Sequence, residues 1–388
     1  MSSARFLTEL FLHPDRLEVG RHRELWPTLE LMAQSENPTA EDEKDYRTKN
    51  DFGMLALNST RPVALEAVMR YARWLKLADT GLDVSAGSLP EVFALLSAHL
   101  DPAVDDSVAV REMFGMQFSL LGWLDRGWLE SQLHALFPPK PYRILDKFAW
   151  NAFLRFSNPI ADMLPAMRFR YERAINGLDI KAVTVGDSER SLGNHLMRFI
   201  AAGTIAMDDS LVESFFTKAS LALRAQAIGD IGWHLGRGDQ ALDEGTRDRL
   251  MGLWGSRLQH CVREGSTARK EMAAFGWWLH SKKFPDAWAV EQAIVVVDTF
   301  RDLGPDFAVI ERFAELAEKY PFEAAHCLGF IFEEDKEGWA IHGWGEHVTT
   351  ILEAALRGSA QSHAEAVRVI NLLVARGNRS YRRLLESK

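Results

Sequence analysis

Apolar residues recur at helical spacing in almost every segment of this chain, and this periodicity restricts its fold more than any other feature. The clearest example lies in residues 56–76, with the sequence ALNSTRPVALEAVMRYARWLK. Ala64, Val68, Tyr71 and Leu75 occupy positions i, i+4, i+7 and i+11, which places them on one stripe of a helix. The pattern predicts a long helix that buries this stripe.

The other faces of that helix support two further predictions. Leu65 and Met69 flank the apolar stripe, so we expect the helix to contact neighbours on more than one side. Glu66 and Arg70 lie on the polar side, in the acid-before-base i,i+4 order that stabilises a helix. This combination is typical of a helix in a stacked layer.

The same periodicity predicts helices over most of the remaining chain. It returns between Val110 and Leu124, and again between Ala366 and Leu373, where Gly377 follows as a helix-terminating residue. Proline and glycine clusters separate the remaining predicted helices. These cover 150–175, 189–206, 208–235, 246–263, 268–281, 287–302, 307–319, 321–333 and 345–357.

Few segments depart from this pattern. Residues 34–51 form the most polar stretch and are predicted to be a loop. Residues 178–187 are the one candidate for extended structure, which we interpret as a connector or a small hairpin.

The predicted fold class is therefore all-α. Many helices of ordinary length, short Gly/Pro connections and the lack of a heptad run favour an irregular HEAT-like α-solenoid of stacked helix pairs. A globular helical bundle is the alternative. A softer break near 176–188 divides the chain into two helical-repeat halves, 1–176 and 177–388, unless these form one continuous solenoid.

Composition narrows the function classes. The net charge of -9 disfavours a primary nucleic-acid binder, although a local basic stripe remains compatible with it. The two cysteines are too few for a disulfide framework or a four-thiolate zinc site. The N-terminal segment lacks the pattern of a signal peptide, and no apolar run is long enough to cross a membrane. These features predict a cytoplasmic protein without membrane contact.

Two segments carry a family resemblance. In the first, Pro62 stands where a glycine is expected, and the matching residues are Asn58, Ser59, Arg61, Ala64, Leu65, Glu66, Ala67, Tyr71, Ala72 and Trp74. In the second, residues 110–138, the matching residues are Val110, Arg111, Gly115, Leu124, Asp125, Trp128, Phe137 and Pro138. Both resemble the helical C-terminal regions of large bacterial proteins that carry an NTPase or SIR2-like module at their N-terminus.

The resemblance implies a sensor or scaffold role in bacterial antiphage defence. The expected partner is a protein: an effector or NTPase subunit, or a phage component. No P-loop (G-x-x-x-x-G-K-[ST]) occurs in the sequence, so the resemblance places any catalytic module outside this sequence. We therefore expect a non-catalytic recognition or scaffold protein. A further alternative is an enzyme whose active site carries no motif that we recognise.

The turn formed by residues 58–62 is the first candidate site. A short oxygen-bearing side chain in it is expected to cap the following helix, with Pro62 in the first turn. Arg61 would then reach a carboxylate or a carbonyl group at the end of a neighbouring helix. The functional alternative makes Asn58 and Arg61 partner-binding residues at a helix N-terminus.

The second candidate is a basic segment in which Arg168, Arg170 and Arg173 alternate with aromatic residues. Such a pattern binds nucleic-acid backbones and stacks on bases, so it supports the alternative function of a nucleic-acid-binding or nucleic-acid-processing HEAT-like protein. We favour the structural interpretation, which is a solvated helix face with one buried aromatic edge. A second basic cluster lies in the tail, and it consists of Arg376, Arg379, Arg382, Arg383 and Lys388.

No catalytic residue, metal site or cofactor is predicted. The pairs His260-Cys261 and His326-Cys327 are adjacent in sequence, and adjacent helical side chains point about 100° apart, so each pair offers one ligand at most. Neither H-E-x-x-H nor C-x-x-C occurs. Five tryptophans are expected in the core, and an exposed one would mark a partner surface: Trp123, Trp128, Trp277, Trp278 and Trp288.

Overall fold

The computed structural model describes residues 2–13, 20, 22–49, 53–78, 84–334 and 344–386. Helices make up 76% of the structure, and no strand occurs in the described part, which confirms the all-α prediction. The 178–187 segment consists of turns up to the start of a helix at Asp187. No described helix is both long and apolar enough to cross a membrane.

The chain divides into two compact units, Met1–Arg173 and Ala174–Lys388. The predicted halves, 1–176 and 177–388, and the choice between a solenoid and a bundle stay predictions. The helices of the first unit, with the one that runs across its boundary, are α1 (Ser2–Leu10), α2 (His22–Ala33), α3 (Ala40–Lys49), α4 (Met54–Asn58), α5 (Thr60–Leu77), α6 (Pro90–Leu100), α7 (Val108–Met116), α8 (Phe118–Leu124), α9 (Arg126–Leu136), α10 (Arg143–Phe156) and α11 (Leu164–Asn176).

Helix α5 is the central element of the first unit. It packs against α1, α2, α4, α6, α7 and α8, as expected for a helix with apolar residues on more than one side. The predicted stripe is fully buried, and Leu65 and Met69 are buried as well. The predicted pair also forms, with Arg70 Nη2 2.7 Å from Glu66 Oε1. Glu66 does not lie on a solvated face, since only 9% of its surface is exposed. It also accepts a hydrogen bond from Gln117 at the α7–α8 junction.

The polar 34–51 segment is not the loop that its composition predicts, since α3 occupies most of it. Two residues of α3 turn inward. The Glu43 carboxylate accepts the backbone N–H groups of Val108 and Ala109 at 3.0 and 3.2 Å, and it therefore caps α7. Tyr46 donates to the buried Glu112 at 2.9 Å. Contacts with a distant helix, rather than local apolar periodicity, stabilise this helix.

Some predicted helices are broken. The Val110–Leu124 run divides at Gln117, and the 150–175 run divides at 157–163 beside Asn158-Pro159. Helix α7 packs so closely on α10 that a Cβ atom at Gly115 would lie 2.2 Å from the Ala149 carbonyl oxygen. The predicted 208–235 helix divides at Ser220, whose hydroxyl accepts the Leu223 N–H at 3.2 Å and starts a new helix.

The second unit continues with helices in regular succession. Its helices are α12 (Asp187–Ala202), α13 (Ser210–Lys218), α14 (Leu221–Gly236), α15 (Glu244–Glu264), α16 (Arg269–Ala273), α17 (Gly276–His280), α18 (Asp286–Phe300), α19 (Asp306–Leu316), α20 (Pro321–Glu334), α21 (Gly345–Arg357) and α22 (Ala360–Ala375). From α12 onward, helices pack repeatedly against the helix two places further along: α12 on α14, α17 on α19, α18 on α20 and α20 on α22.

Candidate functional site

The turn at residues 58–62 starts α5, but its own side chains do not cap the helix. Ser59 occupies the N-cap position with an extended backbone and makes no side-chain cap hydrogen bond. The cap comes instead from Asn37, whose Oδ1 accepts the Thr60 N–H at 2.7 Å and whose carbonyl oxygen accepts the Arg61 N–H at 2.8 Å. The predicted local cap is therefore wrong, because a loop 23 residues earlier reaches these N–H groups first. Pro62 lies in the first turn, as predicted.

Arg61 projects from the first turn of α5 into the segment that supplies this cap. Its Nη1 donates to the Ser35 carbonyl oxygen at 2.9 Å, and its Nη2 donates to the Pro38 carbonyl oxygen at 3.3 Å. Its Nε lies 3.1 Å from the Asp105 carboxylate, in an ion pair that is largely buried on both sides. The guanidinium therefore joins three chain segments, as its structural interpretation requires.

Asp105 also binds a histidine. His99, near the end of α6, has its Nδ1 2.7 Å from Asp105 Oδ2, and the two residues are 7% and 6% exposed. The other carboxylate oxygen accepts the Ser107 N–H at 3.1 Å. Because an ionised carboxylate only accepts hydrogen bonds, the His99 Nδ1 atom carries the proton that this pair shares. No described residue bonds to the His99 Nε2 atom.

These side chains line an open cleft of about 630 Å³ in the first unit. Its lining combines carboxylates, the guanidinium, the imidazole and several apolar side chains. The volume lies in the range of small-molecule sites. The cleft lining consists of Gln34, Glu36, Pro38, Thr39, Ala40, Arg61, Leu95, Ala98, His99, Val104, Asp105 and Asp106.

The cleft contains residues that sequence reasoning missed. His99 is one of twelve histidines in the sequence, and no motif distinguishes Asp105 from the other acidic residues. The available signal was a histidine at a helix end with an aspartate six residues later, which is too common a spacing to indicate a site. Only the fold shows that Arg61 converges on the same carboxylate.

Asn58, the other predicted partner-binding residue of this turn, lies apart from the cleft. It ends α4, where its Nδ2 donates to the Met54 carbonyl oxygen at 2.7 Å. Its Oδ1 accepts from Arg5 of α1 at 3.3 Å. Asn58 is exposed, so it stays a candidate surface residue, but it does not line the cleft.

The three arginines of α11 do not form a free basic stripe. Arg170 is 5% exposed, with its Nε 2.7 Å from Asp146 Oδ1 and its guanidinium 4.2 Å from the Trp150 ring centroid. Burial, opposed by Asp146, lowers the pKa of Arg170 to about 10. Arg173 Nη1 binds the same carboxylate at 3.3 Å, and Arg168 pairs with Glu172 at 3.2 Å.

In the basic tail, Arg376 donates to main-chain carbonyl oxygens at the end of α20. Lys388 lies outside the described residues.

In each histidine–cysteine pair the cysteine is buried, and the histidine lies beside carboxylates. Burial, followed by the Glu271 charge, raises the pKa of Cys261 to about 12, and burial raises that of Cys327 well above its usual value. His260 pairs instead with Glu264, and His326 lies between Asp298 and Glu365. Within the described ranges, no group of three or more His, Cys, Asp or Glu side chains could hold a metal ion.

One of the five tryptophans expected in the core is substantially exposed. Trp123, at the end of α8, has 46% of its surface accessible, whereas Trp128 and Trp278 are buried. The Lys76 ammonium group lies 4.7 Å from the Trp123 ring centroid and donates to the Trp123 and Leu124 carbonyl oxygens at 2.7 and 2.9 Å. The indole therefore has a cation beside one part of its surface, while nearly half of the residue stays accessible.

Comparison of the chain with models of known protein families, with curated proteins and with solved structures gave no match.

Proposed function

We propose that this chain is a non-catalytic helical recognition protein that binds another protein in the bacterial cytoplasm as part of an antiphage defence assembly. Two observations support the proposal. The 56–76 and 110–138 segments carry the family resemblance described above. The exposed indole of Trp123, which belongs to the second segment, is the structural observation on which the proposal rests.

Trp123 has the properties of a binding hot spot. Tryptophan contributes more to protein interfaces than most residues, since its large apolar surface is buried at little cost in conformational entropy. Here the Lys76 ammonium group lies 4.7 Å from the ring centroid and also bonds to the Trp123 carbonyl oxygen. The fitting partner is an effector or NTPase subunit with an apolar pocket for the indole.

The test is a comparison of wild type with Trp123→Ala. Affinity purification from infected and uninfected bacterial cells identifies the retained protein, and titration with that purified protein gives the Kd. We expect Trp123→Ala to raise the Kd roughly thirtyfold, the equivalent of about 2 kcal/mol. The melting temperature should stay close to that of wild type, because the indole is already half-exposed.

Trp233 provides a matched control in the second unit. It is 37% exposed, and the Arg237 guanidinium lies 4.7 Å from its ring centroid, so its surroundings resemble those of Trp123. Trp233→Ala should leave the Kd unchanged. Equal loss of binding in both variants, or unchanged binding in Trp123→Ala, would contradict the proposed surface.

Nucleic-acid binding is the weaker proposal. It rests on the α11 arginines, and the Asp146 and Glu172 carboxylates already compensate these. Any association should therefore be weak and sensitive to salt.

A further inference from the structure

The polar lining of the cleft beside Arg61 includes several groups that can accept hydrogen bonds. His99 is 7% exposed, and its Nδ1 is bonded to Asp105, which leaves its Nε2 atom without a partner among the described residues. Glu36 lines the same cleft, is exposed, and makes no contact with any described charged group. Asp106 is the third acceptor, with its carboxylate 3.6 Å from Arg47.

The Arg61 guanidinium, which carries the positive charge in the cleft, already has partners within the protein. Arg61 directs its Nη groups at the Ser35 and Pro38 carbonyl oxygens, and its Nε lies beside Asp105. Of the three carboxylates that line the cleft, Asp105 pairs with Arg61 and Asp106 lies 3.6 Å from Arg47, so Glu36 is the one without a described cationic partner. An anionic ligand would meet unfavourable charge, whereas a cationic ligand would find acceptors that lack donors.

The apolar part of the lining limits the shape of the ligand. Leu95 and Ala98 of α6 contribute one side, and Val104, which is 65% exposed, contributes the rim. These side chains suit a short alkyl chain that carries a charged end, as in arginine, lysine or a small alkylamine. A volume of about 630 Å³ accommodates a ligand of that size.

We propose that this cleft binds a guanidinium or alkylammonium group, which donates hydrogen bonds to His99 Nε2 and to the Glu36 carboxylate while its alkyl stem packs on Leu95 and Val104. The site is separate from the Trp123 surface. It provides the chain with a ligand-binding function beyond partner recognition.

Isothermal titration calorimetry of the full chain tests this proposal. N-acetyl-arginine amide represents a peptide-borne cation, and agmatine represents a free amine. N-acetyl-citrulline amide has nearly the same shape as the first probe but no charge. We expect a Kd in the submillimolar range for at least one cation and at least tenfold weaker binding of the citrulline compound. The tighter of the two cations identifies the source of the ligand.

Two variants locate the binding in the cleft. Glu36→Gln removes an exposed carboxylate and should weaken cation binding about tenfold without affecting folding. His99→Asn keeps a donor for Asp105 but removes the Nε2 acceptor, so it should weaken binding to a similar extent. Glu41→Gln is the control, since Glu41 is an exposed acid on the neighbouring helix α3 that does not line the cleft.

The proposal is overturned by any of three results. These are no measurable binding of either cation at millimolar concentration, equal binding of the citrulline compound, or unchanged affinity in Glu36→Gln. The last result would count even if His99→Asn proved unstable, because Glu36 lies at the surface. Loss of Trp123-dependent partner binding would not alter any of these outcomes.

Discussion

Replacement of Arg61 by alanine tests whether this residue acts through stability or through a partner. The substitution removes two hydrogen bonds from a charged donor, to the Ser35 and Pro38 carbonyl oxygens, and one ion pair with Asp105. Loss of one partner of a buried ion pair costs about 3–5 kcal/mol, and a hydrogen bond to a charged group contributes about 1.5–3 kcal/mol.

The expected cost lies at the lower end of these ranges. Asp105 keeps His99 and the Ser107 N–H as partners, so its charge is not left alone. The Arg61 side chain is also 16% exposed, and water can reach some of the vacated space. We therefore expect a loss of about 3 kcal/mol in the free energy of unfolding. At about 2–4 °C per kcal/mol, the melting temperature of the first unit should fall by roughly 6–12 °C.

Thermal and urea unfolding followed by circular dichroism measure this change. Arg61→Lys should lower the free energy of unfolding by about half as much as Arg61→Ala. A single ammonium group cannot contact both carbonyl oxygens and the carboxylate together. Lys44→Ala provides the control, since Lys44 is 69% exposed and its pair with Glu41 is a surface ion pair.

A melting temperature within about 1 °C of wild type for Arg61→Ala would refute the reasoning. If that variant also failed to bind the partner, Arg61 would be a partner contact, as the functional alternative for the 58–62 turn holds. Partner binding that falls only in proportion to the folded fraction would support the structural role.

Two other features support further predictions. Asn37→Ala should cost about 0.5–2 kcal/mol because Asn37 caps α5, whereas Ser59→Ala should cost less, and urea unfolding of both variants would show a reversed order if Ser59 were the cap. Cys261 and Cys327 should resist alkylation by iodoacetamide at pH 7.5 in the folded protein, because burial raises both thiol pKa values and limits access to the sulfur atoms. Both should react in denaturant, and mass spectrometry that shows rapid modification of the folded chain would contradict this expectation.

The fold class and many individual helices can be predicted from local sequence patterns. The 3.6-residue periodicity of α5 predicted its buried stripe, its contacts on several sides and the Glu66–Arg70 pair. Pro62 was correctly expected in the first turn. These features depend on residues within one or two helical turns of each other, so their spacing in the sequence already contains the geometry.

The hydrogen-bond partners of the polar side chains depend on the tertiary structure. The Asn37 cap acts over 23 residues and the Glu43 cap of α7 over 65, so neither leaves a local pattern in the sequence. The same holds for the candidate cleft, where Arg61, from a different helix, converges on the carboxylate that holds His99. A polar side chain is directed by whichever unpaired donor or acceptor the packing of distant segments brings within about 3 Å. Hydrophobic periodicity carries no information about that choice, because it records which side of a helix is buried and not which residue faces it.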